Sequence, residues 1–172
     1  QPVWLTIDVP AGTKPGIYAG SFTMSAEEKN SIDLKIEIRV VNETLKAPAE
    51  WDFHLDLWQN PFAVARYHDV PLWSDEHFNK MKPLMKILSD AGQKVITASI
   101  MHQPWAGQTY DPFSSIIVRV KKIDGSWEYQ YDVFDRWVSF MMNEAGITEQ
   151  INCYTMIPWA LNFDYFDMAT NS

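Results

Sequence analysis

The sequence predicts an α/β fold preceded by a short all-β segment, and two observations carry this prediction. The first 47 residues contain β-rich runs without helical periodicity. After Pro48, strands alternate with helices, and two of those helices end in an Ala-Gly pair. We therefore expect C-terminal strands of a β-sandwich in residues 1–47 and the start of a (β/α)8 TIM-type barrel in residues 48–172. Three barrel strands are too few for closure, so the predicted barrel is incomplete.

The β-segment is predicted from two strand runs and one alternating stretch. Residues 3–8 and 17–24 flank a turn-forming stretch rich in Pro and Gly, which favours an antiparallel pair. Residues 32–41 then alternate apolar and charged side chains, as in a strand with one wet face. Three strands make a poor domain alone, so further sandwich strands are expected upstream.

The barrel part is predicted from hydrophobic patterns that alternate between the spacing of strands and the spacing of helices. The expected elements are a strand over 52–58, a helix near 75–90, a strand over 95–101, a hairpin over 115–131, a helix over 133–145 and a strand over 151–157. Ser74 is a favourable N-cap of the first helix and Gly92 a favourable C′ residue. Pro83 lies inside this helix and predicts a kink or a break.

Composition excludes several classes of function. The chain has 172 residues, 47% of them apolar, and a net charge of −8, which argues against nucleic-acid binding. The four histidines have no metal-ligand spacing, and phosphate-loop and dinucleotide patterns are absent from the sequence, so no cofactor is expected. No apolar run is long enough for a membrane span. The aromatic fraction of 14% is high, and aromatic rings suit sugar faces as well as cores.

Candidate binding residues follow the predicted barrel strands, because active sites of such barrels lie at the C-terminal strand ends. Aromatic rings stack on sugar faces, while amides and imidazoles bond to hydroxyls. The predicted substrate-binding residues are Trp58 and Gln59 after the first strand, His102, Gln103 and Trp105 after the second, and Trp159 and Asp164 after the third.

The carboxylates are less informative. Glycoside hydrolysis normally needs two, on opposite sides of the scissile bond. Asp75-Glu76 occupies the first turn of a helix, where the helix dipole explains both residues. Asp56 is expected to point into the barrel and to make a structural hydrogen bond. Asp164 and Asp167 are better placed to reach substrate, although loop capping explains them equally well.

Several segments, in this order, resemble glycoside hydrolase family 123. They are Gly16-Ile-Tyr-Ala-Gly20 after Val-Pro-Ala-Gly-Thr, Leu57-Trp-Gln-Asn-Pro61 with the loop to Trp73-Ser74, His102-Gln-Pro-Trp105, and Ile157-Pro-Trp159 followed by Phe163-Asp-Tyr-Phe166. The resemblance implies a β-sandwich, a (β/α)8 barrel and removal of β-linked N-acetylgalactosamine. It also implies a substrate-assisted retaining mechanism, in which the substrate's acetamido oxygen attacks the anomeric carbon and an adjacent Asp-Glu pair assists.

That Asp-Glu pair has no match at a strand end of this sequence, so we expect it beyond residue 172 and expect this chain alone to be inactive. The alternatives are a non-catalytic carbohydrate-binding or scaffold module with the same barrel, and a retaining glycosidase of another family. Gln1 already opens a strand-like run, which predicts a fragment of a longer secreted or periplasmic protein. A glycan is the expected partner, and the truncated barrel is expected to be prone to self-association.

Overall fold

The computed structural model describes residues 2–104, 108–155 and 163–172 and has a mixed α/β fold with several small sheets. The chain divides into two compact units, Gln1–Lys46 and Ala47–Ser172. The strands are β1 Gly16–Met24, β2 Ile32–Val40, β3 Val95–Ser99, β4 Val118–Lys121, β5 Trp127–Gln130, β6 Gln150–Tyr154 and β7 Phe166–Asp167. The helices are α1 Pro61–His68, α2 Asp75–Asp90 and α3 Asp132–Phe140, and a short 3-10 turn covers Pro48–Glu50.

The first unit is an antiparallel hairpin of β1 and β2. The strands pair along their full length, with Tyr18 opposite Ile38 and Phe22 opposite Leu34. Ile36, Ile38 and Val40 are half-buried while their charged neighbours are exposed, which confirms the predicted one-sided alternation.

The predicted strand over residues 3–8 is wrong for the described part of the chain. These residues form no strand, and Trp4 is 91% exposed. A strand is stabilised by hydrogen bonds to a neighbouring strand, and in the described part of the chain residues 3–8 pair with neither β1 nor β2.

The second unit confirms that the strands predicted after Pro48 run parallel to each other. β3 pairs with β6 in parallel, with Thr97 opposite Asn152 and Ser99 opposite Tyr154. Leu55 forms an isolated parallel bridge with Gln93 just before β3. The order is therefore the segment around Leu55, then β3, then β6.

The predicted strand over 52–58 is reduced to that single bridge, because glutamine side chains replace most of its backbone ladder. The Leu57 amide donates to Gln93 Oε1 at 2.8 Å, and the Thr97 amide donates to Gln59 Oε1 at 2.7 Å. Side-chain amides between two backbones hold them wider apart than a ladder does, so regular pairing stops.

The predicted helices are present, with two differences. The Ser74 hydroxyl accepts a hydrogen bond from the His77 amide at 3.2 Å, and Gly92 follows the C-cap with φ of 88°, as expected. The α2 helix continues through Pro83 from Asp75 to Asp90 rather than breaking there. Residues 61–68, expected as a loop, form α1, because Pro61 begins the helix and the Asn60 side chain caps it at Ala63 N, 3.0 Å away.

The core lies where α2 and α3 cover one face of β3. Trp137 on α3 is 1% exposed, and its indole Nε1 donates to the Thr97 carbonyl at 3.0 Å. Other members of this core are Phe78, Met81, Met85, Ile96, Ala98, Ile116, Phe140, Met141 and Ile147. The opposite face of β3 carries Thr97 and Ser99, which are also buried.

The predicted hairpin is formed by β4 and β5, which pair antiparallel on either side of Asp124-Gly125. Gly125 has φ of 82°, and the Asp124 carboxylate accepts from the Ser126 amide at 2.9 Å. β7 joins β4 in parallel and makes a sheet of order β5-β4-β7.

Candidate functional site

The C-terminal ends of the parallel strands lie on one rim, and the predicted binding residues follow those ends. Trp58 follows the Leu55 bridge, His102 follows β3, and Tyr154 ends β6. Parallel strands share the direction of their carboxyl ends, so the topology places these residues on one edge.

Trp58 is an open aromatic ring on this rim. Its side chain is 60% exposed, and its ring meets that of Tyr154 edge to face, with centroids 5.7 Å apart. This contact spans β3 and fixes one edge of the indole while a large part of the ring remains in solvent. The arrangement suits a stacking platform.

Gln59 is buried and engaged with backbone. It is 2% exposed, and its Nε2 donates to the Val95 carbonyl at 3.1 Å and to the Leu57 carbonyl. Its Oε1 accepts from the Thr97 amide. The side chain thus ties the segment that carries Trp58 to β3, which is a positioning role.

His102 and Asp164 meet across a long sequence separation. His102 Nδ1 lies 2.8 Å from Asp164 Oδ2, and the two side chains are 31% and 66% exposed. If the imidazole is neutral, a proton on Nδ1 leaves Nε2 as the acceptor and sets the ring orientation. Gln103, next in the chain, is half-buried with φ of 43°, and its backbone amide donates to the Phe113 carbonyl at 2.6 Å.

An open cleft of about 290 Å³ lies beside this pair. Asp164 contributes to its wall together with Arg119 of β4 and Tyr165. The other lining residues are Ser114, Ser115, Ile117, Val118, Phe166 and Ser172.

Arg119 was missed by the sequence reasoning. Its guanidinium donates to the Ile100 carbonyl at 2.5 Å and to Ser115 Oγ at 3.1 Å, and it lies 5.9 Å from the Phe163 ring centroid. The sequence feature that could have identified Arg119 is its positive charge within the otherwise apolar run from Ile116 to Val120. Arg119 anchors the β4 wall to the loop after β3 that carries His102.

Asp56 makes the structural hydrogen bond expected of it. Its Oδ2 accepts from Asn152 Nδ2 at 3.0 Å, across β3. Burial, and then the charge of Asp56, raise the pKa of the nearby Tyr154 hydroxyl. Asn152 and Tyr154 were not predicted as site residues from the sequence. They are two residues apart on β6 and therefore lie on the same face of that strand.

Asp75 and Asp167 have structural partners. Asp75 and Glu76 lie in the first turn of α2, as predicted, and Asp75 pairs with Arg136 of α3. Asp167 accepts from the Ala169 amide at 2.9 Å and pairs with Lys121 at 3.1 Å, and these hydrogen bonds lower its pKa.

Trp105 and Trp159 lie outside the described residues and stay predictions. Within residues 2–104, 108–155 and 163–172, no group of three or more His, Cys, Asp or Glu side chains could hold a metal ion. No helix in that part of the chain has the length and apolar character to span a bilayer.

Comparisons with known proteins address the family. A solved structure of a family 123 glycoside hydrolase from Clostridium perfringens, reported for glycolipid glycan hydrolysis, superposes with a TM-score of 0.89 at 31% identity. The match covers 96% of this chain but only 30% of that chain, so the present chain spans less than a third of that structure's length. A search of curated proteins gave no match.

The sequence profile of the glycoside hydrolase 123 catalytic domain matches residues 58–172, which include the rim, the hairpin wall and the His102–Asp164 pair. The match covers more than half of the chain and agrees with the structural similarity. The chain therefore belongs to glycoside hydrolase family 123.

Proposed function

We propose that this chain supplies part of the sugar-binding rim of a glycoside hydrolase that removes β-linked N-acetylgalactosamine from glycans. The observation that carries the proposal is the His102–Asp164 pair, placed after β3 within the region matched by the family 123 catalytic domain. The exposed Trp58 ring, at the end of the neighbouring strand segment, gives this pair an aromatic companion.

In the proposed mechanism, Trp58 stacks on the apolar face of the terminal sugar. His102 hydrogen-bonds to a substrate hydroxyl through Nε2, while Asp164 holds its Nδ1. Gln59 keeps Trp58 in place through its bonds to β3 and does not need to touch substrate. Gln103, Trp105 and Trp159 complete the proposed rim.

The bond-breaking step follows the substrate-assisted scheme of the family. The acetamido oxygen at C2 attacks the anomeric carbon, the glycosidic bond breaks, and an acid protonates the departing oxygen. Water then opens the cyclic intermediate with retention of configuration. We propose that an adjacent Asp-Glu pair on a later strand orients the acetamido group and supplies the proton, because Asp75-Glu76 is engaged at a helix N-terminus.

This function implies an architecture larger than the described chain. We propose that β1 and β2 complete a β-sandwich and that β3 and β6 belong to a closed (β/α)8 barrel. Secretion or export to the periplasm suits an enzyme that meets glycans outside the cell. Without the remaining barrel strands, the isolated chain is expected to self-associate through its open sheet edges, which light scattering would detect.

An aryl β-N-acetylgalactosaminide assay tests the proposal. The full-length protein should release nitrophenol, whereas the purified 172-residue chain should not. The matched comparison is the corresponding β-N-acetylglucosaminide, which should be hydrolysed more slowly by the full-length protein. Turnover by the chain that is abolished in Asp75→Asn or Glu76→Gln would instead assign catalysis to that pair. A full-length protein that binds glycans without turnover would favour the non-catalytic module.

A further inference from the structure

The three-stranded sheet β5-β4-β7 is built from segments that follow the parallel strands. The β4–β5 hairpin comes after β3, and β7 comes after β6. The Ile116 amide donates to the Ser99 carbonyl at 2.9 Å, which ties the start of the hairpin to the carboxyl end of β3. Lys121 of β4 pairs with Asp167 of β7 at 3.1 Å. This sheet therefore stands on the same rim as His102.

The cleft of about 290 Å³ in this sheet begins at the proposed site of the terminal sugar. Asp164 contacts His102 Nδ1 through its Oδ2, and Asp164 also belongs to the wall of the cleft. A substrate that extends past the imidazole on this side enters the cleft next. The cleft is thus placed to hold the group that is attached to the terminal sugar.

Tyr165 gives the cleft an aromatic wall in a fixed position. Its ring meets that of Trp127 edge to face, with centroids 5.2 Å apart, and its centroid lies 5.8 Å from that of Phe163. Tyr165 nevertheless remains 44% exposed. A ring that its neighbours already hold loses little freedom on binding, so Tyr165 suits stacking on a sugar face.

The charges of the cleft favour a neutral ligand. Arg119 and Asp164 contribute one charge of each sign, and the other side chains that line the cleft are uncharged. The two terminal nitrogens of Arg119 already donate to Ser115 Oγ and to the Ile100 carbonyl. Asp164 would repel a carboxylate, whereas the hydroxyls of a neutral sugar can bond to either charged group.

We propose that this cleft is a binding subsite for a neutral hexose linked to the terminal N-acetylgalactosamine, with Tyr165 as its stacking residue. The assignment rests on the proposed function, because it requires a terminal sugar beside His102. It adds a preference for the leaving group: a neutral sugar is bound in the cleft, and an acidic sugar is disfavoured there.

Two substrates of the full-length enzyme test the subsite. One is methyl β-N-acetylgalactosaminide, whose leaving group is too small to fill the cleft, and the other is N-acetylgalactosamine β-linked to galactose. Chromatography of released N-acetylgalactosamine gives kcat/KM for both. The two leaving groups differ in chemical reactivity, so the informative quantity is the change that a variant makes in the disaccharide-to-methyl ratio of kcat/KM. In Tyr165→Ala this ratio should fall about 3- to 10-fold, mainly through KM for the disaccharide.

Three further variants separate stacking from folding. Tyr165→Phe keeps the ring and should keep the ratio of the wild type. Tyr129→Ala changes a tyrosine of β5 that is 49% exposed and is not among the residues that line the cleft, so it is the matched control and should leave the ratio unaltered. Ser114→Trp fills the cleft from an exposed position and should lower the ratio even if Tyr165→Ala does not fold.

The outcomes separate the subsite from the proposed function. Hydrolysis of both substrates with an unaltered ratio in Tyr165→Ala and Ser114→Trp would overturn the subsite alone, and it is the result expected if a later segment of the full-length protein fills the cleft. A disaccharide with galacturonic acid in place of galactose should react more slowly, and faster hydrolysis of it would overturn the neutral ligand. No hydrolysis of either neutral substrate by the wild-type enzyme would overturn the proposed function and the subsite with it.

Discussion

His102 Nδ1 lies 2.8 Å from Asp164 Oδ2, although the β4–β5 hairpin, α3 and β6 separate the two residues in the sequence. A side-chain contact this exposed contributes little to stability, typically about 0–1 kcal/mol even where both groups are charged. We therefore expect the contact to act on the orientation of the imidazole rather than on the stability of the fold. That distinction leads to the first prediction.

Asp164→Asn and His102→Ala should impair the full-length enzyme far more than they destabilise it. We expect kcat/KM for an aryl β-N-acetylgalactosaminide to fall about tenfold, mainly through KM, because an oriented hydrogen-bond partner is lost. Melting temperature should hardly change. Lys122→Ala, which breaks the exposed pair with Glu128, is the matched control and should leave kinetics unaltered. Equal kinetics in all three variants would remove His102 from the site.

His77 should make the fold sensitive to acid. Its ring is fully buried, Nδ1 accepts from the Trp73 amide at 3.1 Å, and Nε2 donates to the Pro61 carbonyl at 2.9 Å. Burial lowers the pKa of His77, an effect that the hydrogen bond to Pro61 opposes. The folded state thus favours the neutral ring, so its contribution is complete above the unfolded pKa of about 6.5 and is lost as pH falls below it.

Unfolding free energies measured by urea titration from about pH 7.5 to pH 5 should show this loss. His77→Gln should be less stable than wild type at neutral pH but should have a flatter pH dependence. His54→Gln, at an exposed position, controls for removal of a histidine. Parallel pH curves for wild type and His77→Gln would contradict the prediction.

Trp137 should be the most costly aromatic residue to truncate in the second unit. Trp137→Phe removes the hydrogen bond to the Thr97 carbonyl and leaves a space behind β3, for an expected cost of about 2–3 kcal/mol. Trp127→Phe changes a ring that is 40% exposed and should cost under about 1 kcal/mol. Urea denaturation of the two variants compares these costs, and similar midpoints would refute the assignment of Trp137 to the core.

Gly92→Ala should destabilise the protein more than Gly125→Ala. Both glycines have positive φ, 88° and 82°, so both substitutions carry the left-handed penalty of about 1–2 kcal/mol. A Cβ at Gly92 would also lie 3.1 Å from Trp51 Cε3 and 3.2 Å from the Pro48 carbonyl oxygen, whereas Gly125 has open space. The difference in melting temperature between the variants measures the contact alone, and no difference would mean that Trp51 moves aside freely.

The elements that sequence predicted well are those specified by local chemistry. The α2 helix was predicted from its Ser74 cap, its apolar spacing and Gly92, and the β4–β5 hairpin from Asp124-Gly125. Capping and turn preferences depend on residues that are close in the sequence, so they can be predicted without knowing distant contacts.

The features that sequence missed depend on distant partners. Residues 3–8 have the composition of a strand, but composition does not supply a neighbouring strand. Residues 61–68 were expected in a loop, yet Asn60 caps and Pro61 begins α1. Likewise, Trp58 and His102 were predicted as rim residues, while the partners Tyr154 and Asp164 could be paired with them only in three dimensions.

Gln59 and Gln93 attach the segment around Leu55 to β3 mainly through side-chain amides. Backbone hydrogen bonds between strands form with any side chains. Here most of the hydrogen bonds between the two segments are made by the side-chain amides of Gln59 and Gln93. Because both glutamines are buried, a substitution at either position leaves backbone groups of β3 without their partners and loosens the attachment of the Trp58 segment. The placement of the Trp58 ring therefore depends on two side chains, Gln59 and Gln93, as well as on backbone pairing.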